Sequence, residues 1–344
     1  MQHDSEDKVR RYSARIRVMP RYAIAFATVA LLTTSGEASA QASYPNRPIR
    51  LIVPYPPGAG TDFTAREVGA QFSKSLGQPV VIDNRPGAAA TVGHSLGAKS
   101  PPDGYTLLLG TTGGLVSGPA LVGSRIPYDP LKDFATIGLA TYVPYSLVLS
   151  ASLPANNVKE LIELARASPR KLNFASPGVG TPNHLGGAQL MTLTGIELVH
   201  VPYKGGSPAV IDLLAGNVQV LITGLLQVLP HHRAGRLKIV GIGHTQRLKS
   251  HPDIPTIAET VPGYYNTGWW GIVAAAGTPK VIVDQLNAIM NKALATPEML
   301  QRFEKNGLEV ATTTPQGFHE LIRADLEMWK KLIKEARITV DVLP

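Results

Sequence analysis

Two short runs in the 344-residue chain have the residue types and spacing to hold an anion. They are Pro57-Gly58-Ala59-Gly60-Thr61-Asp62 and, 120 positions later, Pro177-Gly178-Val179-Gly180-Thr181-Pro182. Each follows a short apolar run with strand character and opens a stretch with helical spacing. Glycine tolerates positive φ and lets a partner approach the main chain, so PGxGT ahead of a helix leaves several N–H groups unpaired. The positive end of the helix dipole favours an anion there by about 0.3 to 1 kcal/mol. Each loop is thus suited to cradle a carboxylate. The Thr61 and Thr181 hydroxyls can cap the helix or donate to a ligand, and the residues alone leave both open. A third glycine-rich loop, Gly110-Thr111-Thr112-Gly113-Gly114, follows another strand pattern and offers hydroxyl donors.

Other chemistries find no residues to run them. The third glycine of a dinucleotide fingerprint would fall at Phe63 or Asn183, and no Walker lysine follows either loop. The chain has no Cys, which removes disulfides, thiolate metal sites and cysteine nucleophiles. HExxH and G-x-S-x-G are missing, because Gly205-Gly206-Ser207-Pro208 has no second glycine in register. Asp62 is the one carboxylate beside a glycine loop, and it reads as a helix-capping group rather than a general base. His184 falls in a first helical turn, where a local hydrogen bond and a ligand contact are equally open. His231-His232-Arg233 reads as a cationic helix end, and Trp269-Trp270 as core. No acid, base and nucleophile come together, so no enzyme, cofactor or metal is expected.

The elements that would carry the loops alternate. Strand patterns at Arg50 to Tyr55, Val80 to Asp83 and Thr106 to Leu109 alternate with helices at Asp62 to Leu76 and Ala89 to Ala98. A second series opens at Leu147 to Leu149. It continues with helix Val158 to Ala167, strand Leu172 to Ala175, helix Pro182 to Thr194 and strand Leu198 to Val201. Helix Pro208 to Ala215, capped by Ser207, then leads to strands Val218 to Ile222, Leu237 to Ile242 and Gly271 to Ala275. Leu213 to Leu229 reads as helix end, turn and strand. Thr278-Pro279, Thr296-Pro297 and Thr314-Pro315 each set a cap before a helix-compatible proline, so three helices close the chain, the last reaching about Ala336. Such alternation predicts parallel sheets with helices on both faces, in two α/β lobes, with ligands beyond the carboxyl ends of the strands.

Hydrophobic residues at 44% and charged residues at 17% predict a folded chain. Tyr22 to Thr34 is uncharged and apolar, follows Arg15, Arg17 and Arg21, and precedes Ala38-Ser39-Ala40, the pattern of a signal peptide cleaved after Ala40. The run is short of the roughly 20 residues a membrane span needs. Met19 is an alternative start, and Arg10-Arg11 a weak twin-arginine feature. Without residues 1–40 the chain carries 27 basic and 21 acidic residues, net +6. The Lys330-Lys331-Lys334 cluster alternates with Glu327 and Glu335, as on a solvated helix face, and aromatics at 6% are not interleaved with basic residues. Nucleic acid is therefore not an expected partner.

Several blocks carry a family resemblance: YPNRPIRLIVPYPPGAGTD at Tyr44 to Asp62, DNRPGAAATVG at Asp83 to Gly93, and PPDGYTLL at Pro101 to Leu108. YDPLKDF at Tyr128 to Phe134, PYKGGSPAVIDLLAG at Pro202 to Gly216 and WGIVAAAGTP at Trp270 to Pro279 continue it. In that order they are similar to the Bug/TctC extracytoplasmic solute-binding proteins, over essentially the whole mature chain. The resemblance implies an α/β, two-lobed, periplasmic-binding-protein-like fold of type II with the ligand cleft between lobes. Residues 44–142 plus 268–344 would form one lobe and residues 143–267 the other. It implies a non-catalytic, likewise monomeric periplasmic receptor that passes a small organic acid to the membrane subunits of a tripartite tricarboxylate transporter. A membrane sensor kinase is the alternative partner. It further implies main-chain donors at Gly58, Ala59, Gly60, Thr61 and Asp62, and at Gly178, Val179, Gly180, Thr181 and Asn183, with Tyr55, Thr111, Thr112 and Tyr203 as lining residues. Asp325 stands where relatives more often carry Glu and is expected on the helix surface. The acid itself stays open among citrate, dicarboxylates, aromatic acids and amino acids.

Overall fold

Strand β1 (Ile49–Val53) sets the frame for the first glycine loop, since four of its five side chains are fully buried. The structure is a computed structural model, and it describes residues 44–335 and 338. The export signal read at residues 1–40, and Ala336, lie outside the described residues. Chain order continues with α1 (Gly60–Leu76), β2 (Val80–Asn84), α2 (Thr91–Ala98), β3 (Thr106–Thr111), a π-turn at Gly113–Ser117, α3 (Gly118–Val122) and β4 (Phe134–Ser150). Then come α4 (Val158–Ala167), β5 (Asn173–Ser176), α5 (Pro182–Thr194), β6 (Val199–Pro202), α6 (Gly206–Ala215), β7 (Val220–Gly224) and α7 (Leu225–Arg233). The chain ends through β8 (Leu237–Ile242), β9 (Thr267–Ala275), α8 (Lys280–Leu294), α9 (Pro297–Lys305), β10 (Glu309–Val310) and α10 (Pro315–Glu335).

Local sequence explains most of these boundaries. Val68 and Phe72 form the buried stripe of α1, and Gly77 ends it in the left-handed region with its N–H on the Ser73 carbonyl. Asn157 caps α4 by accepting the Glu160 N–H, and Thr296 caps α9 by accepting that of Met299. Two expected caps differ. The helix expected from Pro208 starts two residues earlier, with Gly205 at the cap instead of Ser207. Pro279 stands at the α8 cap, because the Thr278 hydroxyl turns back to donate to the Ala275 carbonyl at 2.7 Å.

The strands join into one ten-stranded mixed sheet, along β2-β1-β3-β9-β4-β7-β5-β6 with β8 and β10 also on β4. The expectation of parallel sheets holds for β2-β1-β3 and for β6-β5-β7. It fails in the middle, where β9 pairs antiparallel with both β3 and β4, and β4 antiparallel with β7, β8 and β10. The reason is β4 itself. Its 17 residues begin at Phe134 rather than Leu147 and are buried almost throughout, so one strand serves both halves of the sheet. Its first part pairs with β9 down to Val143↔Gly268 and Pro144↔Thr267, and its last residues lie between β7 and β8. One core cluster, around Trp269, Phe318, Val273 and Leu108, packs α10 on the first half, and another, around Val148, Leu221, Val228 and Leu213, fills the second.

Asp325 is not a surface residue: it accepts the Trp269 indole N–H at 2.6 Å and so ties α10 to β9. Lys330 pairs with Glu327 at 2.8 Å on the outer face of α10, the solvated arrangement read from the sequence. No helix among the described residues is long and apolar enough to cross a membrane.

Candidate functional site

The first glycine loop is held from behind by its own carboxylate. Asp62, in the first turn of α1, is buried and accepts the Gly58 N–H at 3.1 Å, the Arg66 guanidinium at 2.8 Å and the Asn84 amide at 3.1 Å. Burial pushes its pKa up, but these hydrogen bonds and the Arg66 charge outweigh that and leave it lowered. Asp62 therefore shapes the loop ahead of α1, while no side chain caps the helix itself. The N–H of Gly58 is thereby used, whereas those of Ala59, Gly60, Thr61 and Asp62 meet no acceptor among the described residues. The Thr61 hydroxyl is buried without a hydrogen-bond partner. Gly60 owes its identity to a neighbour, since a Cβ there would stand 2.7 Å from the Trp270 ring.

The second loop is more self-contained. Thr181 is the cap of α5: its hydroxyl accepts the His184 N–H at 3.3 Å and donates to the Gly178 carbonyl at 2.7 Å. Gly178 N–H is taken by the Ser176 hydroxyl, and Gly180 N–H by His184 Nδ1 at 3.3 Å. Gly180 is also latched to the other half of the sheet through its carbonyl, which accepts the Ser117 hydroxyl at 3.1 Å. His184 stacks on His200 with ring centroids 4.1 Å apart, and burial lowers both, to about 4 and about 3. The unpaired main-chain donors of this loop are Val179 and Asn183.

Between the loops lies a cavity of about 380 Å³. The first turns of four helices line it: Gly60 and Thr61 of α1, Pro182 and Asn183 of α5, Gly206 to Pro208 of α6, and Leu225 to Gln227 of α7. Four positive dipole ends facing one space favour a negative guest. Lys204 lines it too, and no Asp or Glu does. Among the described residues no three His, Asp or Glu are grouped to hold a metal ion.

Of the residues expected at the site, Tyr55, Gly58, Ala59, Gly60, Thr61, Thr181 and Asn183 line this cavity. Asp62, Thr111, Thr112, Gly178, Val179, Gly180 and Tyr203 do not. Thr111 and Thr112 are buried behind it, where Thr112 accepts the Trp269 N–H at 2.7 Å and Thr111 is hydrogen-bonded to the Tyr55 side chain. Tyr203 donates its hydroxyl to Asp212 at 2.6 Å. Trp269 is core as expected, but Trp270 is not, and lines the cavity. Sequence reasoning also missed Val143, Tyr145, Lys204, Thr223 and the start of α7. A usable signal existed for part of this: Gly205-Gly206-Ser207-Pro208 repeats the glycine, hydroxyl and proline pattern of the second loop, and Gly224 stands between a strand and a helix.

A mixed α/β sheet whose loops and helix starts enclose a ligand-sized space is the framework of a small-molecule binding site. Residues 64–338 match the model of the tripartite tricarboxylate transporter family receptor, and the chain belongs to this family. It is similar to the UPF0065 protein in the tcbD-tcbE intergenic region of a Pseudomonas species, with 38% identity over 93% of this chain and 96% of that one. The structure is similar to that of R. palustris Rpa4515 with adipate, at TM-score 0.82 and 35% identity, covering 86% of this chain and 99% of that one. It is likewise similar to MatC from Rhodopseudomonas palustris with bound malate, at TM-score 0.78 and 30% identity over 84% and 100% of the two chains. Two further similar structures are those of periplasmic binding protein BugD, at TM-score 0.79 and 32% identity, and of a TctC solute binding protein from Polaromonas, at 0.68 and 29%.

Proposed function

We propose that the chain is an exported receptor that captures a small organic acid and delivers it to the membrane subunits of a tripartite tricarboxylate-type transporter. The observation that carries this reading is the cavity itself: unpaired main-chain N–H groups of Ala59, Gly60 and Thr61 with the buried, unpaired Thr61 hydroxyl on one side, the main-chain N–H of Asn183 on the other, Lys204 nearby, and no acidic lining. Adipate and malate in two relatives support an acid as the guest. Residues 44–142 plus 268–344 act as one lobe and 143–267 as the other, each contributing one glycine loop. The chain passes between them along β4 and β9. Residues 1–40 act as an export signal removed near Ala40.

Micromolar affinity needs about −8.2 kcal/mol, and hydrogen bonds to a charged group net about 1.5 to 3 kcal/mol each, so four or five good donors suffice. A thermal-melting screen of organic acids tests the reading. An acid present at a hundredfold excess over its Kd stabilises the folded state by about 2.7 kcal/mol, a readable shift. If no acid moves the transition while neutral sugars raise it, the reading is wrong.

A further inference from the structure

Away from the two glycine loops, beside the first turns of α6 and α7 and the Tyr145 ring, the side chains of Val143 of β4, Leu225 and Leu226 of α7, Trp270 of β9 and Leu308 form an apolar wall. Trp270 and Leu226 are only partly buried, and both close on the same turn of α1. The point where a Cβ of Gly60 would sit is 2.7 Å from Trp270 Cη2 and 3.6 Å from Leu226 Cδ2. The next residue, Thr61, also lines the cavity, its hydroxyl buried and unpaired. A carboxylate held by this turn therefore has its carbon body against the indole and the leucine.

The polar side chains that line the cavity are mostly committed elsewhere. Thr223 donates to Gln227 Oε1 at 2.6 Å, the Asn183 amide donates to the Ile222 carbonyl at 3.1 Å, and Thr181 is spent on its cap. The Gln227 amide nitrogen, the Tyr145 hydroxyl, Lys204 and Ser207 remain, the last two exposed. A guest bearing several hydroxyls or three carboxylates would set some of them against the leucines, Val143 and the indole, where no polar partner stands.

We propose that the preferred guest is a carboxylate with a flat apolar body, an aromatic acid such as benzoate, and that Trp270 is the residue that selects it. The inference rests on the acid-receptor reading above and narrows it. Offset stacking on the indole and contact with Leu226 reward a ring, and an aliphatic hydroxy acid gains neither.

Titration calorimetry of the purified protein with benzoate, malate and citrate tests this. The expected result is benzoate binding at least about tenfold tighter than either polar acid, the scale on which an apolar pocket discriminates. Trp270→Ala should reduce benzoate affinity about tenfold or more and leave malate and citrate within about threefold, whereas Trp270→Phe should retain the preference. Leu226→Asn, on a second partly exposed residue, should erode it independently. Tighter binding of malate or citrate, or an unchanged preference in both Trp270→Ala and Leu226→Asn, overturns the inference while leaving the receptor reading intact. Binding of no acid at all removes the receptor reading, and this inference with it.

Discussion

Thr61 and Thr181 occupy matching places in two PGxGT loops and have diverged in use. Thr181 caps its helix, so Thr181→Val should cost about 1 kcal/mol of stability in urea unfolding, the usual worth of an N-cap. Thr61 caps nothing and is buried unsatisfied. Thr61→Val should therefore leave the melting temperature of the ligand-free protein unchanged or slightly raised, while weakening acid binding about tenfold, the equivalent of one hydrogen bond. Equal affinity in calorimetry would take Thr61 out of the site. His94 carries a pH prediction. Its ring donates from Nδ1 to the Ala90 carbonyl and accepts the Thr111 N–H at Nε2, so the neutral form fits and burial lowers its pKa from 6.5 to about 4. Below pH 6.5 the unfolded chain takes up a proton that the folded chain refuses. Stability present above 6.5 is thus lost as pH falls towards 4, at up to about 1.4 kcal/mol per pH unit from this group. His184 and His200 add in the same direction. A flat unfolding free energy between pH 7 and 5 would contradict it.

At the scale of elements, the entry to α2 stores strain. Ala88, Ala89 and Ala90 have φ of 44°, 50° and 80°, a region where a Cβ crowds the backbone. This left-handed turn is why the helix expected from Ala89 begins at Thr91. Ala89 is exposed, so Ala89→Gly removes the crowding with little loss of packing and should stabilise the protein by about 0.5 to 1 kcal/mol. A lower urea midpoint in this variant would show that the turn is relaxed with alanine. The four helices that open onto the cavity follow a different economy. Their first turns leave amides unpaired, a cost that a bound anion would offset.

For the whole molecule, β4 and β9 set how the two halves of the sheet are joined. The two halves of the sheet share β4, and the chain passes between them again along β9 at Thr267–Gly268. A further contact, Ser117 to Gly180, bridges the Gly113–Ser117 turn and the second loop. Two extended strands can bend together with little loss of their ladder, as hinge closure around a ligand requires. If the lobes close on an acid, small-angle scattering should give a smaller radius of gyration with saturating ligand than without. An identical scattering curve would argue for a rigid receptor.

Much of this was legible in the residues. Local rules, the PGxGT loops, capping residues and helical stripes, located the two anion-suited turns and bounded α4 and α5 at the right residues, because hydrogen bonds within a few positions decide those features. The sequence by itself thus determined most of the elements, the two glycine loops and the family. Only the tertiary structure decided the antiparallel middle of the sheet, the Asp325–Trp269 hydrogen bond, and the split between Trp269 in the core and Trp270 on the cavity. It also decided that Thr111, Thr112 and Tyr203 face other partners, and that α6 and α7 begin at the same space as α1 and α5. These outcomes depend on contacts between positions far apart in the chain, such as Gly60 with Trp270 and Leu226. No local pattern encodes such contacts, because their energy exists only once the sheet has brought the elements together.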